Sequence, residues 1–211
     1  MADQFCVRSS LSSGVDAALT STASCGVVFG VDCFERYKAT RAFKLGVDAT
    51  LVMTEPNAGG QSEVSEAMSM EYMHQLFGAV DVVTEMQIEY WSPNWKKVDY
   101  LCTIRGERVA VSVTRAMAFQ GAPFDAARLL RKKMRGLVVA KTGVSRRQRY
   151  SKSVLHIWCQ TTEIAMALSE CYAQVADELG VTENVILIAT VAATEACIFT
   201  NDASAIEVTR N

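Results

Sequence analysis

Residues 97–117 read KVDYLCTIRGERVAVSVTRAM. Val109, Val111 and Val113 alternate with Ala110, Ser112 and Thr114, the period of two that marks a strand. Tyr100, Cys102 and Ile104 alternate in the same way upstream, and Arg105-Gly106-Glu107 reads as a tight hairpin connection. Two antiparallel registers fit, one with Asp99 facing Ser112 and one with Asp99 facing Thr114. Both gather Tyr100, Cys102, Ile104, Val109, Val111 and Val113 on a core face, and both set Asp99, Ser112 and Thr114 on the opposite face. An acid opposite hydroxyls inside a sheet is either a hydrogen-bonded pair that fixes register or the remnant of a reactive site.

Before this hairpin, residues 84–91, TEMQIEYW, alternate Met86, Ile88 and Tyr90 with Glu85, Gln87 and Glu89 and predict a strand. Ser62 is suited to cap a helix that carries Glu63 and Glu66 in its first turn, runs through Met68, Met70, Tyr72 and Met73, and stops at Gly78. After the hairpin, residues 124–144 form a basic amphipathic helix on Ala127, Leu130, Met134 and Leu137. A basic loop follows, then the strand VLHIWCQ, a helix over 162–179 and the buried strand VILIATVA; ACIFTND reads as one more strand. Nearer the N-terminus, CGVVFGV suggests a strand, 32–53 a helix and 55–61 a loop. Residues 1–24 are expected to be a peripheral arm, and 25–211 a single mixed α/β domain with its core in 62–193.

The order helix, three strands, helix, strand, helix resembles the core of the restriction-endonuclease-like superfamily. That resemblance implies an acid opening the second strand, a (D/E)-x-K triplet on the third and a glutamate from the first helix, with the carboxylates on Mg²⁺ and the lysine polarising water or phosphate. Asp99 stands at the first position, and Glu66, or else Glu63, at the helix position. The triplet itself reads Ser112-Val113-Thr114, so hydroxyls replace both the carboxylate and the lysine. The implied centre is degenerate. If chemistry survives, Asp99 and Glu66 would hold the metal and Lys97 would assist; Glu85, Glu89, Arg128 and Arg131 are further residues that could reach in.

The string VSVTRAM, preceded by V-D-Y at this spacing, also resembles a eukaryotic family of "AAC-rich mRNA clone" and conserved hypothetical proteins. The likeness extends through the basic helix to VLHIWCQ. It implies no particular chemistry, but it makes Ser112 and Thr114 the family's own residues rather than losses peculiar to this chain.

Charge supplies a second lead. The 211-residue chain has a formal charge of -2. Between residues 128 and 152, however, it carries ten Lys or Arg and no acid. A basic segment on an acidic body points to a polyanion. Arg128, Arg131, Lys132 and Lys133 on the helix, with Arg146, Arg147 and Arg149 in the loop, are the expected phosphate contacts on DNA or RNA, with Tyr150 and Trp158 available to stack bases. An acidic protein partner would fit the same charges.

Other chemistries lack their residues. No G-x-x-x-x-G-K-[ST], G-x-G-x-x-G or G-x-S-x-G occurs. Seven scattered cysteines include no C-x-x-C pair, and two histidines lack ligands at zinc spacing. His156 and Cys159 fall on opposite faces of their strand. The longest apolar run is too short to span a bilayer, and no basic-then-apolar leader opens the chain. An intracellular protein, cytoplasmic or nuclear, is expected.

Overall fold

A computed structural model describes residues 4–9, 13–57, 60–118 and 123–208. The remainder of the N-terminal arm and of the 55–61 loop lies outside these residues. Strands β1 (Phe5–Ser9), β2 (Val27–Arg36), β4 (Val80–Thr84), β5 (Tyr100–Ile104), β6 (Glu107–Ala116), β7 (Lys152–Cys159) and β8 (Val185–Val191) form one seven-stranded mixed sheet. Its order is β1-β2-β8-β7-β6-β5-β4. Strands β2, β8, β7 and β6 are mutually parallel, while β1 pairs antiparallel to β2, and β5 antiparallel to both β6 and β4. Short β3 (Phe43–Lys44) and β9 (Ile206–Glu207) pair separately.

Helices cover both faces. On one side lie α1 (Ser13–Thr20), α2 (Val47–Thr54), α3 (Glu63–Phe77) and α6 (Ala196–Thr200); on the other lie α4 (Ala126–Gly143) and α5 (Thr162–Glu178). The alternation read from the sequence decides which side chain goes where. Tyr100, Cys102, Ile104, Val109, Val111 and Val113 pack with α3, whereas Leu101, Ala110, Leu155 and Ile157 pack with α4 and α5. The hairpin pairs Ile104 with Glu107, so Arg105 and Gly106 alone make the turn. Both have positive φ, 48° and 83°, the two-residue turn whose twist matches its strands.

Several sequence expectations require correction. Residues 84–91 are not a strand: pairing stops at Thr84, and a single 3₁₀ turn, Glu85–Gln87, follows. The alternating residues instead belong to a segment laid over α4, where Ile88 is buried. The strand begun at residue 27 continues to Arg36 where a helix was expected, because Asp32 finds a buried partner in the Tyr72 hydroxyl. Residues 196–200 form a helix, not a strand. The N-terminal arm contributes an edge strand and a helix that bury Phe5, Val15 and Leu19. Lys152, counted with the basic segment, is buried at the start of β7. Its Nζ donates to the carbonyls of Ala18 and Ser21 at the C-terminal end of α1, where a cation suits the helix dipole.

Candidate functional site

Of the two registers, the one that sets Asp99 opposite Ser112 is present, since Tyr100 pairs with Val111. Asp99 Oδ2 accepts from Ser112 Oγ at 3.0 Å and from the Val113 amide at 2.5 Å. Ser112 is therefore engaged in holding the acid. Thr114, two residues on, lines an open cleft of about 650 Å³ at the C-terminal end of β6.

That cleft assembles side chains from distant parts of the chain. Glu66 comes from α3, Glu85 from the segment after β4, Asp99 from the residue before β5, and Arg128, Lys132 and Lys133 from α4. Lys96 enters from the preceding loop. Each reaches the cleft for a local reason. Helix α4 starts there because Asp125 accepts from the Arg128 amide as its N-cap, and Arg128 and Lys132, four apart, share one helix face. At α3, Ser62 makes no side-chain cap; its hydroxyl donates to Glu66 Oε1 at 2.5 Å, and Asn201 Oδ1 accepts from the Val64 amide instead.

The charges in the cleft perturb one another. Burial, and after it the negative charge of Asp99, pushes the Glu66 carboxyl up to about 7. Desolvation also raises Asp99, opposed by the Val113 amide and then by the charge of Lys133. Lys133 is held below the usual ammonium range by its own burial, with Asp99 pulling the other way. Two acids that cannot both ionise easily, with a desolvated lysine opposite, make a site that favours an added cation or a bound anion, according to which side of the cleft is engaged.

Not every sequence candidate is here. Lys97 is turned away, its Nζ resting 3.5 Å from Met86 Sδ, and its neighbour Lys96 lines the cleft instead. Glu63 bonds to Asn57 and Asn201 outside the acid pair. Arg131 faces α5, where Nε and Nη2 hold Glu178 at 2.7 and 3.2 Å. Arg146, Arg147 and Arg149 are exposed beyond the far end of α4, away from the cleft. Tyr150 and Trp158 are buried and present no stacking face. Sequence reasoning passed over Lys96 as a cleft residue and placed Lys133 only among the phosphate contacts; helical spacing from Arg128 was the signal for the side chains on α4.

Two carboxylates fit the modest protein donor set that Mg²⁺ takes when substrate phosphates complete its shell. Among the described residues, no group of three or more His, Cys, Asp or Glu is arranged to hold a metal by protein alone. No helix among them is long and apolar enough to cross a membrane.

The chain is 30% identical over 167 residues to the "AAC-rich mRNA clone AAC4 protein" of Dictyostelium discoideum, which covers 74% of this chain and 24% of that protein. This similarity supports the family resemblance, and the chain spans about a quarter of its relative's length. No family model matches the chain. No solved structure matches it either.

Proposed function

We propose that the chain binds nucleic acid on a restriction-endonuclease-like scaffold, with the phosphate backbone drawn into the cleft beside Asp99. Supporting the scaffold are the order α3-β4-β5-β6-α4-β7 and the position of Asp99 at the entrance to the second of three consecutive strands. One observation carries the binding reading: Lys96, Arg128, Lys132 and Lys133 converge on the cleft that holds the acid pair. Basic side chains clustered along a cleft neutralise phosphates and release counterions, so affinity falls steeply with salt. In this reading Ser112 and Thr114 leave the triplet without its own lysine and second carboxylate, and the centre is degenerate.

A second reading, an active Mg²⁺-dependent phosphodiesterase, is favoured by one specific observation. Glu66 and Asp99 line the same cleft as Lys133; two carboxylates are the modest donor set that Mg²⁺ takes beside substrate phosphates, and Lys133 brings positive charge that Thr114 lacks. Asp99 and Glu66 would hold Mg²⁺, which supplies charge neutralisation at the phosphate. Lys133 would orient the anion, and Ser112 would keep Asp99 in place.

The test is fluorescence anisotropy with short labelled DNA and RNA at low and moderate salt, with and without Mg²⁺, the same samples then run on a gel. Binding at low salt that weakens steeply as salt rises, and that falls at least tenfold in Lys132→Ala/Lys133→Ala, is expected. Absence of binding at low salt rejects the proposal. Cleavage that needs Mg²⁺ and disappears in Asp99→Asn selects the second reading.

A further inference from the structure

Residues 85–91, most of the stretch whose alternation predicts a strand, run on through 92–98 along α4, and two glycines of that helix explain how. Gly136 and Gly143 are seven apart, so they share one face two turns distant. Glycine inside a helix costs about 1 kcal/mol relative to alanine, and here its missing side chain is filled by the crossing segment. A methyl group at Gly143 would stand 2.0 Å from Trp95 Nε1, and one at Gly136 would stand 3.2 Å from Lys96 Cε. Trp95 Nε1 donates to the Val139 carbonyl at 2.8 Å. The Trp91 amide donates to the Gly143 carbonyl at 2.9 Å, and the Ser145 amide to the Glu89 carbonyl at 2.8 Å.

These contacts set a continuous sequence of groups along α4: Lys133 in the cleft, Lys96 over Gly136, Trp95 over Gly143, Trp91 beside it, then Arg146 and Arg147. The helix rises ~15 Å from residue 133 to 143. Trp95 is anchored by its polar edge yet remains 36% exposed, and Trp91 is 77% exposed. An indole left that open is unusual for a residue that is mostly buried on average. Exposed cations stand on both sides: Lys132 toward the cleft, and Arg146, Arg147 and Arg149 beyond it. Glu89 is the acid nearest to this run in the chain, and its backbone is tied to Ser145 and to the Gln148 side chain.

We propose that Trp91 and Trp95 form a base-stacking platform, so that the nucleic acid bound is single-stranded. This rests on the nucleic-acid reading above and narrows it. Bases in a duplex hide their faces in the stack; only an unpaired strand offers them to aromatic side chains, while its phosphates follow a basic track. The alternation of cation, indole and cation suits that ligand, and it replaces the stacking residues Tyr150 and Trp158, which the fold buries.

The full chain has three tryptophans, and Trp158 is fully buried, so quenching of the exposed fluorescence reports on the platform. The probes are a 20-nucleotide oligothymidylate, the matching duplex and polyglutamate. Oligothymidylate is expected to quench the emission and to bind at least tenfold more tightly than the duplex. Trp91→Ala should weaken oligothymidylate about tenfold and leave duplex binding unchanged. Trp91 is exposed, so that variant folds; Gly143→Ala, which displaces Trp95, should have the same selective effect, with circular dichroism confirming the helix. Equal affinity for single strand and duplex, or an unchanged affinity in Trp91→Ala while Lys132→Ala/Lys133→Ala still weakens binding, overturns the platform and leaves the cleft reading standing. Failure to bind either nucleic acid overturns both. Quenching by polyglutamate as strong as by oligothymidylate overturns the platform in favour of an acidic protein.

Discussion

The same hairpin borders two polar regions that differ in almost every respect. On the α3 face, His156 Nδ1 and Nε2 sit 2.8 Å from Ser69 Oγ and 3.0 Å from Thr190 Oγ1; Ser69 Oγ also meets the Tyr100 hydroxyl at 2.8 Å. The Tyr72 ring packs on His156 at 4.5 Å, and its hydroxyl donates to Asp32. Each of these residues is buried. At the C-terminal end of β6, between α3 and α4, Asp99, Glu66 and Lys133 line an open cleft. The first region is sealed and dominated by neutral partners, with burial holding His156 down at about 3. The second is charged, partly desolvated and open. Polar groups that satisfy one another in the core specify a packing arrangement; charges that perturb one another at an opening mark a candidate site.

The largest effect should come from breaking the sealed side. His156→Ala removes a fully buried ring and leaves Ser69 and Thr190 short of a partner. Urea unfolding should show a loss of about 3 kcal/mol or more. A loss under about 1 kcal/mol would make this network incidental to stability. The histidine also predicts acid sensitivity. Its folded value lies below the ordinary 6.5, so the stability it contributes is lost as pH falls below about 6.5.

Next is Glu66, where the sign is opposite. A carboxyl raised from 4.5 to about 7 binds its proton more tightly in the folded state, so stability falls as pH rises through that window. Glu66→Gln should stabilise the protein at pH 8 by on the order of 2 kcal/mol and flatten that part of the stability profile. An unchanged profile between pH 5 and 7.5, a window of about 2.5 units, would remove the coupled acid pair from the account. Asp99→Ala should destabilise by about 1–3 kcal/mol, because the Ser112 hydroxyl and Val113 amide lose their acceptor. The smallest effect belongs to Arg131→Ala. Its pair with Glu178 is exposed on both sides, so the thermal unfolding midpoint should not shift measurably.

What the sequence disclosed follows the same division. The β5–β6 hairpin was legible because its alternation, turn and acid all lie within twenty-one residues. Its exact pairing was one of two readings until Ser112 was seen to engage Asp99. The strand through Asp32 was hidden because an acid in mid-strand argues against burial, and its partner Tyr72 is forty residues away. Residues 84–91 misled for the opposite reason: of the alternating apolar residues only Ile88 is buried and Tyr90 half-buried, both against the α4 side, while Met86 stays exposed. At the cleft, Asp99 and Glu66 were visible through motif position, and Arg128, Lys132 and Lys133 through charge. Lys97 follows from strand alternation with Asp99, but β5 starts only at Tyr100, and in the loop before it Lys96 enters the cleft instead. The division of the basic segment was equally illegible, since the burial of Lys152 and the pairing of Arg131 both depend on distant elements.

The most direct measurement is the slope of log affinity for a labelled single-stranded oligonucleotide against log salt, in wild type, Lys133→Ala and Arg131→Ala. The cleft account predicts steep salt dependence in the wild type, a slope shallower by about one unit in Lys133→Ala, and no change in Arg131→Ala. Equal losses in the two variants, or no binding at low salt, would contradict it.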